Sequence, residues 1–202
     1  MDCQERIQSI SSYLLEALLS GCEDFRKSIE GIVECRTPTR GVLPTYIMYQ
    51  LGDMLGRTLR DPSNSIKTIL RCWLRGDREV RFILSVALGR VAMAFPVEVE
   101  VQVAEVLHLD DGSLSKWVVP VIMIWDKGSI FRIFHRNEAA KWALIDSLVW
   151  YSKYSPEDVD YALYVLTRIS GESDPRSERA FRSINKLKSS REVTGPELTR
   201  AT

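Results

Sequence analysis

The chain has 202 residues, 45% of them hydrophobic and 27% charged, proportions that fit a globular protein with a substantial core and exclude a disordered polymer. Basic and acidic side chains number 27 each, so the formal charge is zero, which excludes a global field drawing the protein to nucleic acid or an anionic membrane and leaves only local patches. No uncharged run approaches the roughly 18 residues of a membrane span, and Asp2, Glu5 and Arg6 precede the first apolar residues, unlike a signal peptide.

In chain order the sequence reads as helix after helix. Residues 5–19 carry Ile7, Ile10, Leu14, Leu15, Leu18 and Leu19 at helical spacing and stop before Gly21, a C-terminal cap. Residues 23–35 follow, with Phe25, Ile29, Ile32 and Val33 on one face, and the Pro- and Gly-containing linker 36–41 ends that helix. Pro44 opens a helix through Met48, Leu51, Leu55 and Leu59; residues 61–64 read as a turn, and Ile66, Ile69, Leu70 and Trp73 mark a short helix after it.

The most informative stretch is 74–91. Asp77 is the natural N-cap of a helix whose apolar positions Val80, Ile83, Leu84, Ala87, Leu88 and Val91 form one broad face. Gly89 weakens that helix unless its missing Cβ admits another backbone. Residues 97–107, VEVEVQVAEVL, alternate like a strand but also carry a helical stripe at Val99, Val103, Val106 and Leu107. No other stretch alternates convincingly, and a lone strand cannot satisfy its backbone groups, so a helix is expected.

Further along, residues 110–113 form a turn and 114–125 a helix bent at Pro120. Residues 129–134 are short and apolar, and 137–154 a long amphipathic helix. Ser155 and Pro156 open another helix to Ile169, with Ser155 as its cap. Phe181, Ile184 and Leu187 mark a capping helix over 177–188, and the polar tail 189–202 is expected to be disordered.

Internal similarity organises these elements. A shift of 60 places Val80 and Arg81 on Ala140 and Lys141, Leu84 on Leu144, Leu88 on Leu148, Pro96 on Pro156 and Val99 on Val159. A weaker copy at a shift of 55 places Phe25 and Arg26 on Val80 and Arg81, and Ile29 on Leu84. With Gly89 and the Asp77 cap, this pattern resembles the HEAT-type helical repeat, an armadillo-like family of stacked helical hairpins. The resemblance implies an all-α, right-handed α-solenoid of about nine or ten helices, with residues 1–188 as one repeat domain.

For function, the sequence offers no catalytic signature, no nucleophile motif and no cofactor site. Four cysteines, Cys3, Cys22, Cys35 and Cys72, show no C-x-x-C pair, and only His108 and His135 accompany them, so no metal site is expected. The cysteines read as reduced, mostly buried thiols of a cytoplasmic protein. The leading expectation is a non-catalytic scaffold for a protein partner, with no membrane association.

An alternative is nucleic-acid binding. Lys67, Arg71 and Arg75 fall at i, i+4 and i+8, with Arg57 and Arg60 before them and Arg78 and Arg81 after, and residues 51–90 hold eight basic side chains against four acidic ones. Such a stripe could neutralise phosphates, and its rival is a solvated helix face with some arginines paired to Asp77 and Glu79. Residues 91–112 are the acidic complement.

A narrower form of that alternative rests on a second resemblance. HEAT-like alkylpurine DNA glycosylases combine aromatic residues, an aspartate and a basic surface, and Trp142-x-x-x-Asp146 together with Trp125-Asp126 is similar to that combination. The resemblance implies an aspartate that stabilises cationic charge on a damaged nucleotide without a metal.

Overall fold

The computed structural model describes residues 10–36, 45–59, 62–171 and 174–194, and within them the protein is all-α, with twelve α-helices, three 3-10 turns and no strand. The chain divides into two compact units, Met1–Val103 and Ala104–Thr202. No helix of the described residues is long and apolar enough to cross a membrane.

The first unit holds α1 (Ile10–Ser20), α2 (Cys22–Arg36), α3 (Thr45–Thr58), α4 (Pro62–Arg75), α5 (Arg78–Ala92) and most of α6 (Pro96–Val106). Gly21, at φ +156°, separates α1 from α2, and its amide reaches back to the Ala17 carbonyl at 3.0 Å. The expected cap of α5 is present: the Asp77 carboxylate accepts from the Val80 amide at 3.0 Å. That helix buries Val80, Ile83, Leu84, Ala87, Leu88 and Val91, the stripe its spacing specifies.

The packing of α3 along α5 depends on glycines of α3. A Cβ at Gly52 would stand 2.6 Å from the Ile83 carbonyl oxygen, and one at Gly56 would stand 2.7 Å from that of Ala87. Close approach of the kind expected at Gly89 is thus made by two glycines of the facing helix. Residues 62–64, expected as a turn, belong to α4, because Pro62 is tolerated in a first turn where its missing N–H costs nothing.

One expectation in this unit is overturned. Cys22 and Cys72 are not thiols: they form a disulfide with a Cα–Cα distance of 4.9 Å, joining the start of α2 to α4 across 50 residues of sequence. Local sequence could not show this, because the partners meet only when α2 and α4 pack. Arg36, expected to open the linker, ends α2, while Cys3, the side chain of Cys35, the start of the helix expected over 5–19, linker residues 37–41 and Pro44 lie outside the described residues.

The second unit holds α7 (Ser113–Trp117), α8 (Val119–Trp125), α9 (Ser129–Arg136), α10 (Lys141–Tyr154), α11 (Val159–Ser170) and α12 (Pro175–Thr194). Residues 97–107 are helical, in α6 and the 3-10 turn Leu107–Leu109, as the missing strand partner required. The helix expected over 114–125 is interrupted at Val118, with Pro120 in the first turn of α8. Helix α10 is the centre of the unit, in contact with α7, α8, α11 and α12, and it fully buries Leu144, Ile145, Leu148 and Tyr151.

Two boundaries differ from the sequence reading. Ser155 makes no side-chain cap; a 3-10 turn, Pro156–Asp158, comes between it and α11. The last helix continues to Thr194, so residues 189–194 of the expected tail are helical.

Candidate functional site

In the second unit, Trp142 and Asp146 sit one turn apart on α10, so both side chains leave the helix on one face, opposite the buried Leu144 and Leu148. They line a cavity of about 460 Å³ together with His108, Asp110, Gly112 and Arg176. A second cavity, of about 390 Å³, is lined by Ser115, Asp146, Trp150, Lys153, Arg176 and Arg179. Gly112, Asp146 and Arg176 line both.

Local sequence positions each wall. Asp110 accepts from the amides of Leu114 and Ser115, both at 2.9 Å, which fixes the start of α7 and spends the Asp110 carboxylate. Gly112 takes the turn at φ +98°, a conformation that disfavours a side chain. At the opposite wall Asp174 caps α12, accepting from the Arg176 and Ser177 amides at 2.9 Å and from the Ser177 hydroxyl at 2.7 Å. That cap sets Arg176 and Arg179 in the first turns of α12. Lys141 ties the same corner to α10, donating to the Ser170 carbonyl at 2.6 Å.

Aromatic and cationic groups meet here. The Arg176 guanidinium lies 5.3 Å from the centre of the Trp142 ring, and Lys153 and Lys116 lie 4.0 and 4.4 Å from the Trp150 ring. Asp146 reaches solvent and makes no hydrogen bond or ion pair among the described residues. Loss of surrounding water within the cavity walls raises its carboxyl above the ordinary range; Asp110 adds to the rise, while Arg176 and Arg179 oppose it. Burial and the nearby Lys153 hold the Lys116 ammonium below its ordinary value.

The other aromatic and acidic pair is built differently. Trp125 is 61% exposed at the end of α8. Asp126 accepts from the Gly128 amide and pairs with Arg132, both at 2.8 Å, and these two groups hold its carboxyl low. Asp126 thus closes the turn between α8 and α9, and neither residue lines the cavities that hold Trp142 and Asp146.

In the first unit the basic residues separate into two groups. Lys67, Arg71 and Arg75 are exposed along α4, away from buried Ile66, Ile69, Leu70 and Trp73, and with exposed Arg78 they make no ion pair among the described residues. Arg57 instead pairs with Asp53 at 2.8 Å. Arg81 lies 4.6 Å from the ring of the fully buried Trp73 and donates to the Gly76 carbonyl at 3.1 Å, so its role is to hold the α4–α5 corner. Arg60 lies outside the described residues.

Sequence reasoning did not find Ser115, Trp150, Lys153, Arg176 and Arg179 as site residues. The available signal was Asp174 followed by Arg176 and Arg179, a capped helix start with two cations in its first turns. The chain matches no protein-family model, no curated protein and no solved structure.

Proposed function

We propose that this protein is a nucleic-acid-binding helical-repeat protein of HEAT-like, right-handed solenoid type. The observation that carries the functional part is the lining of the paired cavities: two indoles, Trp142 and Trp150, share walls with Asp146, Lys153, Arg176 and Arg179. Indole faces stack on bases, guanidinium and ammonium groups take phosphates, and a carboxylate accepts from a base N–H. The row of Lys67, Arg71 and Arg75, rising about 6 Å per step along α4, supplies a second set of phosphate contacts.

The repeat reading is supported by burial at equivalent positions. Val80 and Ala140, Leu84 and Leu144, Leu88 and Leu148, and Val99 and Val159 are all buried.

Fluorescence anisotropy with single-stranded and duplex oligonucleotides at several salt concentrations tests the reading. Binding that weakens with salt and is reduced by Trp142→Ala supports it; a folded protein that binds neither probe at low salt overturns it. In that event the protein scaffold is the reading left, and exposed Leu19, Tyr46 and Tyr49 of the first unit are its contact candidates.

The pairing of Trp142 with a carboxylate of raised affinity for protons favours a second, narrower reading as an alkylbase glycosylase. As the N-glycosidic bond breaks, the alkylated base would depart with its electron pair and water would add to C1′, with Asp146 stabilising the developing positive charge and then taking the proton that the water gives up. An alkylated duplex should then lose its damaged base, and Asp146→Asn should abolish the release while preserving binding. Absence of released base from the wild-type protein removes this reading alone.

Location forms a separate part of the proposal. The proposed location is the cytoplasm, and the Cys22–Cys72 bond weighs against it, because disulfides are rare in the cytosol outside hyperthermophiles. Alkylation of thiols before cell lysis decides: a bond found reduced fits the cytoplasm, and an oxidised one indicates an oxidising compartment or a disulfide-tolerant cytosol.

A further inference from the structure

The smaller cavity holds a polar group that its protein surroundings leave unsatisfied. Ser115 is 1% exposed, lines the cavity, and its buried Oγ has no hydrogen-bond partner among the described residues. Its amide is spent on Asp110, and the hydroxyl, unlike those of Ser147 and Ser152 on α10, does not return to a backbone carbonyl. A buried hydroxyl left in this state is costly unless something outside the protein completes it.

Charge in the same cavity is one-sided. Lys153, Arg176 and Arg179 line it against the single carboxylate of Asp146, and none of the three cations makes an ion pair among the described residues. Lys116 adds a further ammonium at the Trp150 ring, beside that of Lys153. Like charges gathered around one indole repel each other, and an anion seated among them removes that repulsion. Oxyanions are the anions that take both a hydroxyl donor and several charged N–H donors, and phosphate has enough oxygens to engage all of them.

We infer that the cavity lined by Ser115, Trp150, Lys153, Arg176 and Arg179 is a phosphate-group site, with Ser115 Oγ as the neutral donor at its floor. The inference deepens the nucleic-acid reading and rests on it only for the source of the phosphate, a strand phosphodiester or the phosphate of a free nucleotide. Trp150, already at the wall, reports occupancy by its fluorescence.

The test titrates the full chain with inorganic phosphate, with AMP and with a single-stranded oligonucleotide, following tryptophan fluorescence and heat. Ser115→Ala deletes only an atom that bonds to nothing among the described residues, so its thermal midpoint should be no lower than that of the wild type. Phosphate, AMP and oligonucleotide should each bind roughly tenfold more weakly to Ser115→Ala, the scale of one hydrogen bond to a charged group. Arg179→Ala and Lys153→Ala should weaken all three by at least as much.

No response to phosphate or AMP overturns the inference. Phosphate and AMP affinities unchanged in Ser115→Ala and Arg179→Ala also overturn it; an oligonucleotide affinity alone unchanged in them supports a site for a free nucleotide and leaves the nucleic-acid reading standing on its other contacts. Phosphate and AMP binding, both weakened by Ser115→Ala, without oligonucleotide binding supports the site, identifies a free nucleotide as the source and ends the nucleic-acid reading.

Discussion

Gly56 of α3 lies against the backbone of α5 so closely that a Cβ added to it would stand 2.7 Å from the Ala87 carbonyl oxygen. The obstacle is main chain, which cannot rotate away as a side chain would, so the two helices must separate to admit a methyl group. Gly56→Ala should therefore destabilise the protein by about 1–3 kcal/mol through overpacking, against the gain in helix propensity that alanine normally brings. Gly52→Ala, whose Cβ would meet the Ile83 carbonyl at 2.6 Å, should behave alike. Urea denaturation checks both, and an unchanged or higher midpoint would show that α3 and α5 do not pack this closely.

Cys22 and Cys72 close a loop of 50 residues, and chain-entropy arguments assign such a cross-link about 4 kcal/mol of stabilisation as an upper figure. Cys72→Ala should lower the denaturation midpoint clearly, and the wild type treated with a reductant should fall by a comparable amount. Reductant should then have little further effect on Cys22→Ala/Cys72→Ala. A wild-type midpoint indifferent to reductant would refute a stabilising bond here.

The parts of this protein legible in its sequence are those specified within one helix. The stripe of α5, its Asp77 cap and the helical state of 97–107 follow from periodicity and from hydrogen-bond accounting. Trp142 and Asp146 were visible together because four residues is one helical turn. Trp125 and Asp126 misled for the converse reason: neighbours on a chain face different ways, and Asp126 is engaged in a turn. Ser115, Lys153 and Arg179 come from three helices, α7, α10 and α12, and each is ordinary in its own segment; only packing makes them a cluster. The disulfide belongs to the same class.

Arg81 and the row Lys67, Arg71 and Arg75 should separate stability from binding. Arg81 covers the Trp73 ring and donates to the Gly76 carbonyl, so Arg81→Ala should cost about 1–2 kcal/mol of stability. Replacing Lys67, Arg71 and Arg75 together by alanine should leave the denaturation midpoint nearly unchanged, since these side chains project from an exposed face. If each contacts one duplex phosphate, the slope of log affinity against log salt should become shallower by about 2.7. An unaltered slope would mean that α4 is a solvated face and nothing more.

Asp146 gives the stability of the second unit a sign that most carboxylates do not. Its carboxyl is raised in the folded protein by loss of solvent and by Asp110, with Arg176 and Arg179 only partly offsetting the rise. Between its unfolded value, about 3.9, and its raised folded value the native state binds more protons than the unfolded chain, so this residue's contribution to stability falls as pH increases. The cost is absent below the unfolded value and complete above the folded one. Asp146→Asn should accordingly be more stable than the wild type at neutral pH, and the two midpoints should converge as the pH is lowered to roughly 3. Removing an attracting charge by Arg176→Ala should raise the carboxyl further, so that the cost still begins at the unfolded value but grows larger and is complete only at a higher pH. Thermal midpoints of the three proteins measured across that range decide the matter: a neutral-pH loss in Asp146→Asn would show instead that the carboxylate is held favourably by its arginines.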